Sequence, residues 1–510
     1  MAHHTDQKVL PKREDRLRTC HAYGGTSCAL VQESRGGCLV RSERSFTQVC
    51  NCQMSLALTM VTTIPDAVII MHAPPGCGGS NVSMDLYVRN GLNARGEKKA
   101  PLIWFTSNLD EADVIAGGEE KLEATIVEAD LRFRPRLIFV VSTCTPGIIG
   151  DDIDAVAGRV RSRVAATVVP LHCEGFKTRI SATGYDAVYH GLARYVQLAP
   201  HDAQRLAEES SGQALLDERR KSRRVNVFNV YSIGRSDEVE LARLLELIGL
   251  EARFYPNFAR PEAFTELTEA SLNVSICATH DDYFLTFLEE RYGIPYLIDT
   301  MPIGIRNTGR WLRAVAARFG LEEQAERVIA AEEAELERAL SDYRPPLAGK
   351  RVYLGGGEMR VAATAMLMHE LGCEVVGFRA HHYDEFGDDL YLTAAQDRPG
   401  MEVNVATTQT FELANLIERA QPDLYLGHSG SNAWVAKLGV PTLPIFSAPQ
   451  TYLGYLGVFE VARRAVRLTA NRAFQEQLRR HTRQPYRESW YRNDPFAYIT
   501  DGADGAGGRP

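Results

Sequence analysis

Short apolar runs alternate with helical patterns along most of this chain, and several runs end in loops rich in glycine, proline or cysteine. The run at 137–141 is the clearest, because its apolar and β-branched residues are typical of a buried parallel strand. Comparable runs are "AVIIMHA", "LIWFTS" and "ATVVPLH". Strands that alternate with helices are joined by crossover connections, so the sequence predicts an α/β fold with parallel sheets.

The alternation repeats often enough for three domains, each predicted to be doubly wound and Rossmann-like. A polar stretch containing "RRKSRR" at 219–224 reads as a linker between the first two. The predicted segments are an irregular N-terminal arm (1–45), a first domain (46–215), a second domain (216–345), a third domain (346–500) and a disordered tail (501–510).

Charge and hydropathy exclude several classes of partner. The net charge of −8 does not favour a nucleic-acid surface. The first residues lack the apolar core of a signal peptide, and no segment approaches the roughly 20 apolar residues of a membrane span. We therefore expect a soluble, cytoplasmic protein that binds neither nucleic acid nor membrane.

Ten cysteines are many for a long chain in a reducing compartment, so metal ligation is a better explanation than disulfides. No Cys-x-x-Cys pair is present, so any metal cluster must gather its ligands from separate loops. Cys173 and Cys373 read as core residues, whereas no role is predicted for Cys20, Cys28 and Cys38.

Three cysteines, Cys52, Cys77 and Cys144, lie in loops at the start of the first domain or at its strand ends. Glycine and proline flank two of them, which leaves room for a bulky group. Thiolates in such loops suit an iron–sulfur cluster, and three are too few for a full site, so a partner chain is expected to supply the rest. Cys50 is an alternative to Cys52.

Several motifs occur in the order found in one family. "HAPPGCGGS", "CTPGIIGDDIDAV", "HCEGFKTRISATGYD" and "LNVSICATHDDYFLTFLEERYGIPY" resemble segments of the alpha chain of the nitrogenase component that carries the catalytic metal cluster. The resemblance extends over about 45–470. It implies three Rossmann-like domains around a central metal-cluster site.

The resemblance also implies the ligands and the partners. Cys52, Cys77 and Cys144 would bind a P-cluster shared with a beta-type chain, in an α2β2 assembly. Cys277 would bind a carbide-centred iron–sulfur cofactor of unknown heterometal, which carries an organic acid ligand in the family. The chain has no Walker lysine loop, so electrons would come from a separate, ATP-dependent iron protein.

The chain departs from the family pattern in the cofactor pocket. Ser181 and Tyr185 stand where dinitrogen-reducing chains carry Gln and His, and Phe446 stands at the place of the second cofactor ligand, a His. Tyr, with a pKa near 10, transfers protons poorly at neutral pH, and Phe cannot bind a metal. We expect Ser181, Tyr185 and Arg360 to line the reactive site.

His428, in "YLGHSGSN", is the candidate for the missing ligand, although a His in a polar loop is more often structural. His381 and His382 are the alternatives. The glycine-rich turn Gly355, Gly356 and Gly357, which precedes Arg360, would let backbone N–H groups approach a cluster or its organic acid.

Two functional hypotheses follow. The first is an alpha-type subunit of a nitrogenase-like reductase, most similar to methylthio-alkane reductase, that cleaves the C–S bonds of small methylthioethers and releases methanethiol and a hydrocarbon. The second is a scaffold on which the nitrogenase cofactor is assembled, since a scaffold must release its cargo and would do without the second His. A pigment reductase of the dark-operative type is disfavoured, because the cofactor thiol Cys277 is present.

Overall fold

The computed structural model describes most of the chain. The described residues are 5–37, 39, 42–45, 52–79, 84–97, 102–200, 223–396, 398–407, 409–445, 449–483 and 485–501. Cys38, Cys50, Phe446 and the basic linker up to residue 222 therefore lie outside the described part. In the part that is described, no helix is both long enough and apolar enough to cross a bilayer.

The N-terminal segment was expected to be irregular, and in its described part that expectation is wrong. Its elements are α1 (Arg13–Arg16), β1 (Thr19–Cys20), β2 (Ala22–Thr26), α2 (Ser27–Gly36) and β3 (Ser42–Arg44). The segment "AYGGT" is a strand because it pairs with a distant strand of the third sheet. Gly24 is required there, since a Cβ atom would lie 2.2 Å from the ring of Phe496.

The first parallel sheet has four strands, as the apolar runs predict. Its elements are α3 (Gln53–Val61), β4 (Ala67–His72), α4 (Pro75–Gly79), α5 (Met84–Ala94), β5 (Ile103–Thr106), α6 (Glu111–Ala116), α7 (Glu119–Phe133), β6 (Leu137–Ser142), α8 (Cys144–Ile149), α9 (Ile153–Val160), β7 (Thr167–His172) and α10 (Thr183–Tyr195). The strand order is β5-β4-β6-β7. Pro170 is tolerated because β7 lies at the edge and needs no partner on its outer side.

The second parallel sheet also has four strands, in the order β11-β10-β8-β9. Its elements are β8 (Arg224–Phe228), α11 (Ser236–Leu247), β9 (Glu251–Tyr255), a 3-10 helix (Pro261–Glu269), β10 (Leu272–Ser275), α12 (Ala278–Tyr292), β11 (Tyr296–Leu297), α13 (Ile305–Ala317), α14 (Glu322–Leu340) and α15 (Arg344–Leu347).

The third sheet has six strands, in the order β17-β16-β12-β13-β15-β2, and β2 is its one antiparallel member. The elements are β12 (Arg351–Gly356), α16 (Glu358–Glu370), β13 (Glu374–Ala380), β14 (Tyr383–Asp384), a 3-10 helix (Glu385–Gly387), α17 (Asp388–Ala394), β15 (Glu402–Ala406), α18 (Thr410–Ala420), β16 (Leu424–Gly427), α19 (Ser429–Lys437), β17 (Thr442–Pro444), α20 (Gly454–Ala470), α21 (Ala473–His481), α22 (Glu488–Arg492) and β18 (Ile499–Asp501).

These three sheets confirm the predicted α/β fold with parallel sheets. Their parallel strands lie within 67–172, 224–297 and 351–444, whereas the antiparallel β2 of the third sheet comes from the N-terminal segment. The domain boundaries predicted from the sequence stay a prediction. The tail expected to be disordered from residue 501 begins one residue later at the earliest, because Asp501 pairs with Ser42 of β3.

Arg13 joins parts of the chain that belong to all three sheets. Its guanidinium group is fully buried and lies 2.8 Å from Asp282 on α12, 3.0 Å from Asp384 on β14 and 3.3 Å from Asp186 on α10. Arg16 binds Asp186 and Asp282 as well. The N-terminal segment is thus a central part of the fold.

Candidate metal centres

The three thiols predicted to bind a cluster are positioned by the first sheet and its helices. Cys77 lies in α4 directly after β4, and Cys144 begins α8 directly after β6. Cys52 precedes the first residue of α3. Because β4 and β6 are parallel neighbours, the loops at their carboxyl ends meet at the same edge of the sheet.

Gly175 shows how close two of these thiols are. A Cβ atom built on Gly175 would lie 3.6 Å from the sulfur of Cys52 and 3.8 Å from the sulfur of Cys144. The sulfur atoms of Cys52 and Cys144 therefore both lie next to Gly175. Burial raises the pKa of Cys77, and the nearby Cys144 and Cys52 raise it further. The Cys77 thiol is thus protonated at neutral pH, and a metal would displace that proton.

A buried histidine supports the loop that carries Cys144. His72 ends β4, and its two ring nitrogens lie 2.9 Å from Ser107 Oγ and 2.8 Å from Asp151 Oδ2. Its carbonyl accepts a hydrogen bond of 2.9 Å from the hydroxyl of Thr143. Sequence reasoning did not single out His72, and its place at a strand end beside a cysteine loop was the available signal.

Cys277, the predicted cofactor ligand, lies immediately before α12 at the end of the second sheet. It is buried, and its backbone N–H donates to Ser275 Oγ at 3.0 Å. Burial raises the pKa of the thiol to about 12, although the nearby Arg360 lowers it in part. Without a metal, this side chain is a neutral thiol in a largely dry environment.

Tyr185 lies beside Cys277, with His280 between them. The rings of Tyr185 and His280 have centroids 4.1 Å apart, and the backbone N–H of His280 donates to the Cys277 carbonyl at 3.0 Å. Burial raises the pKa of Tyr185 to about 12 and lowers that of His280 to about 3. The structure therefore adds His280, a neutral imidazole three residues after Cys277, which sequence reasoning missed.

The three glycines of the turn after β12 have different surroundings. A Cβ atom on Gly355 would lie 2.0 Å from the Tyr425 hydroxyl, so packing against β16 already requires glycine there. A Cβ atom on Gly356 would lie 3.2 Å from His428 Nε2, whereas nothing lies within 4 Å of one on Gly357. Gly357 therefore has the open space that a cofactor-facing residue needs.

His428 follows β16 and contacts this turn because β12 and β16 are neighbouring strands. Its ring lies 5.0 Å from that of His381, centroid to centroid. Burial lowers the pKa of His428 well below its ordinary value and that of His381 to about 3. Both imidazoles are thus neutral at neutral pH and can act as metal ligands.

Arg360 and Ser181 are two further residues that the sequence predicts for the site, whereas Cys173 and Cys373 belong to the core. Arg360 acts electrostatically on Cys277 and His428, and its Nη1 donates to the Ile445 carbonyl at 3.2 Å. Ser181 is buried just before α10, where its carbonyl accepts from Gly184 at 3.0 Å. Cys173 and Cys373 are buried core residues, as predicted.

Comparisons with known proteins give the family. A family model described as nitrogenase component 1 type oxidoreductase matches residues 52–469, which is well over half of the chain. The chain belongs to the nitrogenase component 1 family. That match begins at the first of the three candidate cluster thiols.

Relatives of this nitrogenase component 1 chain carry two kinds of name. The nitrogenase iron-molybdenum cofactor biosynthesis protein NifE of Rippkaea orientalis is 29% identical over 429 residues, which are 81% of this chain and 83% of the relative. The nitrogenase molybdenum-iron protein alpha chain of Methanothermobacter marburgensis is 29% identical over 424 residues, 81% and 86% of the two chains. The two relatives are equally identical to this chain, although one is named as a biosynthesis protein and the other as a nitrogenase subunit.

A solved structure described as nitrogenase Cp1 at pH 5 has the same fold. It superposes with a TM-score of 0.71 over 95% of this chain and 99% of the other, at 22% identity. At that identity the likeness supports the fold of this family member and no more.

Proposed function

We propose that the chain is the alpha-type subunit of a nitrogenase-like reductase that cleaves the C–S bonds of small methylthioethers. Electrons come from an ATP-dependent iron protein and pass a P-cluster shared with a beta-type chain. The observation that carries the proposal is Tyr185, which occupies the place of the family's proton-donating His. Its ring packs at a tilt against that of His280, and burial raises its pKa to about 12.

The first pocket fits a cluster shared with a partner. Cys52 and Cys144 face one point at Gly175, and Cys77 is close enough to both for their charges to act on it. Three thiolates are one fewer than the four that a simple iron–sulfur cluster uses. A beta-type chain in an α2β2 complex supplies the remaining ligands.

The second pocket fits the iron–sulfur cofactor. The Nδ1 atoms of His280 and His381 are buried and have no hydrogen-bond partner among the described residues. Cys277 binds one end of the cofactor. His428 serves as the second ligand, because Phe446, which stands at the place of the family's ligand His, cannot bind a metal. Arg360 and the open turn at Gly357 are suited to an organic acid ligand.

The proposed reaction consumes two electrons and two protons for each C–S bond that breaks. One proton ends on the sulfur, giving methanethiol, and the other on the departing carbon, giving a hydrocarbon. The bound cofactor supplies the electrons at the substrate. Tyr185, which stays protonated over the physiological pH range, keeps the pocket neutral beside an apolar thioether and is a poor proton donor.

The test is anaerobic co-expression of the chain with a beta-type subunit and an iron protein, followed by gas analysis. Wild-type complex should release methane and methanethiol from dimethyl sulfide, with ATP and iron protein required. Cys277→Ala should lose the activity and the cofactor signal while the P-cluster signal persists. His428→Ala should lose cofactor or activity as well. A complex with both clusters but no thioether reduction contradicts the proposal.

An assembly scaffold is the second candidate, and the relatives named NifE favour it. A scaffold would bind the cofactor and release it to a recipient protein. The discriminating experiment incubates the loaded complex with cofactor-free nitrogenase component 1. Transfer of cofactor and rescue of dinitrogen reduction, without thioether turnover by the donor, support the scaffold.

A further inference from the structure

Three buried side chains that the proposed reaction does not use converge next to the glycine-rich turn. Glu358 is the first residue of α16, His382 lies between β13 and β14, and Asp384 ends β14. His382 Nε2 lies 3.9 Å from a Glu358 carboxylate oxygen and 4.0 Å from Asp384 Oδ2. One potential metal-ligand atom of each residue lies within 4.8 Å of those of the other two residues.

Two of these groups have unused hydrogen-bonding capacity. His382 Nε2 and Glu358 Oε1 are buried and have no partner among the residues that the structure describes. A buried polar atom that is left unsatisfied is costly, because it has lost its hydrogen bonds to water. The Glu358 side chain is completely buried and that of His382 is 7% exposed, so bulk water does not satisfy them. The Glu358 oxygen nearest to His382 is Oε2, so a ligand bound to His382 Nε2 and to this carboxylate would remove the penalty at the imidazole nitrogen.

The surrounding charges call for a cation. Two guanidinium groups, those of Arg13 and Arg16, bind the carboxylates of Asp186, Asp282 and Asp384. Glu358 adds a fourth carboxyl group, and its Oε2 accepts from the Asp384 N–H at 2.9 Å. Fully ionised, this network has two more negative than positive charges. An excess of buried negative charge is costly unless a proton or a cation offsets it.

We propose that Glu358, His382 and Asp384 bind one divalent transition-metal ion. One imidazole nitrogen and two carboxylates suit Mn²⁺, Fe²⁺ or Zn²⁺. Metal–ligand bonds of about 2.0–2.2 Å require the three donor atoms to close in by roughly half an ångström. Asp384 is the weakest of the three ligands, because its Oδ2 already accepts from Arg13.

Such an ion would stabilise the turn beside the cofactor pocket. Glu358 directly follows Gly357, so a bond from its carboxylate would hold the end of the turn in place. Through Asp384 and Arg13 the same ion would also connect α16, which carries Glu358, to the N-terminal segment. The site is structural and does not depend on the reaction proposed above.

The experiment uses the full-length chain, produced without iron–sulfur cofactors, freed of metals with a chelator and titrated with Mn²⁺ alone. We expect one Mn²⁺ per chain and a coupling to ¹⁴N in pulsed EPR, from the imidazole. Glu358→Gln and His382→Gln should each weaken binding at least about tenfold. His481→Gln, a change at an exposed histidine, should leave binding unchanged. Circular dichroism establishes that each variant is folded.

The Mn²⁺ titration and the pulsed EPR spectrum of the wild-type chain test the proposal even if a variant fails to fold. Absence of stoichiometric Mn²⁺ binding, or a bound Mn²⁺ without ¹⁴N coupling, overturns it. So does loss of the signal in His428→Gln with retention in His382→Gln, since the ion would then occupy the cofactor pocket. Thioether reduction by the complete complex is a separate measurement, so failure of either proposal can be recognised independently.

Discussion

Gly175 leaves the space that two of the candidate cluster thiols need. A Cβ atom there would lie 2.9 Å from the Cys52 Cβ atom, which is closer than packed side chains allow. We expect Gly175→Ala to displace Cys52 and to weaken iron binding at the three thiols by about 10- to 100-fold. Iron analysis and EPR of the purified complex measure this.

The matched control for that variant is Gly158→Ala in α9. Nothing lies within 4 Å of a Cβ atom on Gly158. Alanine should therefore keep the iron content and stabilise the helix by about 0.5–1 kcal/mol. Equal iron content in both variants contradicts the assignment of Cys52 to the cluster.

His172 should make the stability of the first domain depend on pH. Burial alone would lower its pKa, but Asp154, at 2.7 Å, and Glu174 outweigh burial and raise the pKa from 6.5 to about 8. A raised pKa stabilises the fold fully below pH 6.5, and that stabilisation is lost as the pH rises through 8. The shift corresponds to about 2 kcal/mol.

The measurement compares urea unfolding of the wild type and His172→Gln between pH 6 and pH 9. The wild type should lose about 2 kcal/mol more than the variant over this range. Parallel pH profiles for the two proteins contradict the assignment of a charged His172 in the folded state.

At the scale of elements, Asp237 connects the second sheet's α11 to the start of α20. Its buried Oδ1 accepts from the N–H groups of Tyr452 and Leu453 at 2.6 and 2.9 Å. Asp237→Ala leaves both amides unsatisfied and should destabilise the protein by about 2–4 kcal/mol in urea unfolding. Asp237→Asn keeps an acceptor and should cost roughly 1 kcal/mol. Equal losses in the two variants would show that the negative charge of the carboxylate, which both variants lack, is what stabilises this connection.

The elements that the sequence predicts well are those whose signal is local. Strands β4 and β6 are continuous apolar runs, and the cysteine loops follow them directly. Strand β2 could not be predicted in this way, because "AYGGT" has little strand propensity and its formation depends on pairing with β15. The contact of His428 with Gly356 likewise depends on β12 and β16 being neighbours, which strand order decides.

At the scale of the whole molecule, Arg13 is the side chain on which the three sheets converge. Its partners Asp186, Asp282 and Asp384 are themselves almost completely buried. Arg13→Ala would leave the buried Asp384 without its guanidinium partner and Asp186 and Asp282 with Arg16 alone, so we expect a loss of about 3–5 kcal/mol and faster proteolysis. Thermal unfolding and limited trypsin digestion measure both effects.

Arg35→Ala is the matched control, because Arg35 is 54% exposed and pairs with the exposed Asp389. Its loss should change stability by less than about 1 kcal/mol. If both variants unfold alike, the buried cluster does not hold the sheets together. The sequence could not reveal this role of Arg13, since "KREDR" looks like an ordinary solvated charged segment and its partners are distant in the chain.

The position of Arg13 has a consequence for synthesis of the protein. Asp384 emerges from the ribosome 371 residues after Arg13. At roughly 5–20 residues per second, this delay is about 20–75 s. During that time the guanidinium group can bind Asp186 and later Asp282, but it has no third-domain carboxylate to complete its set of partners. The amino terminus, although it is made first, is therefore among the last parts of the chain to reach its final place.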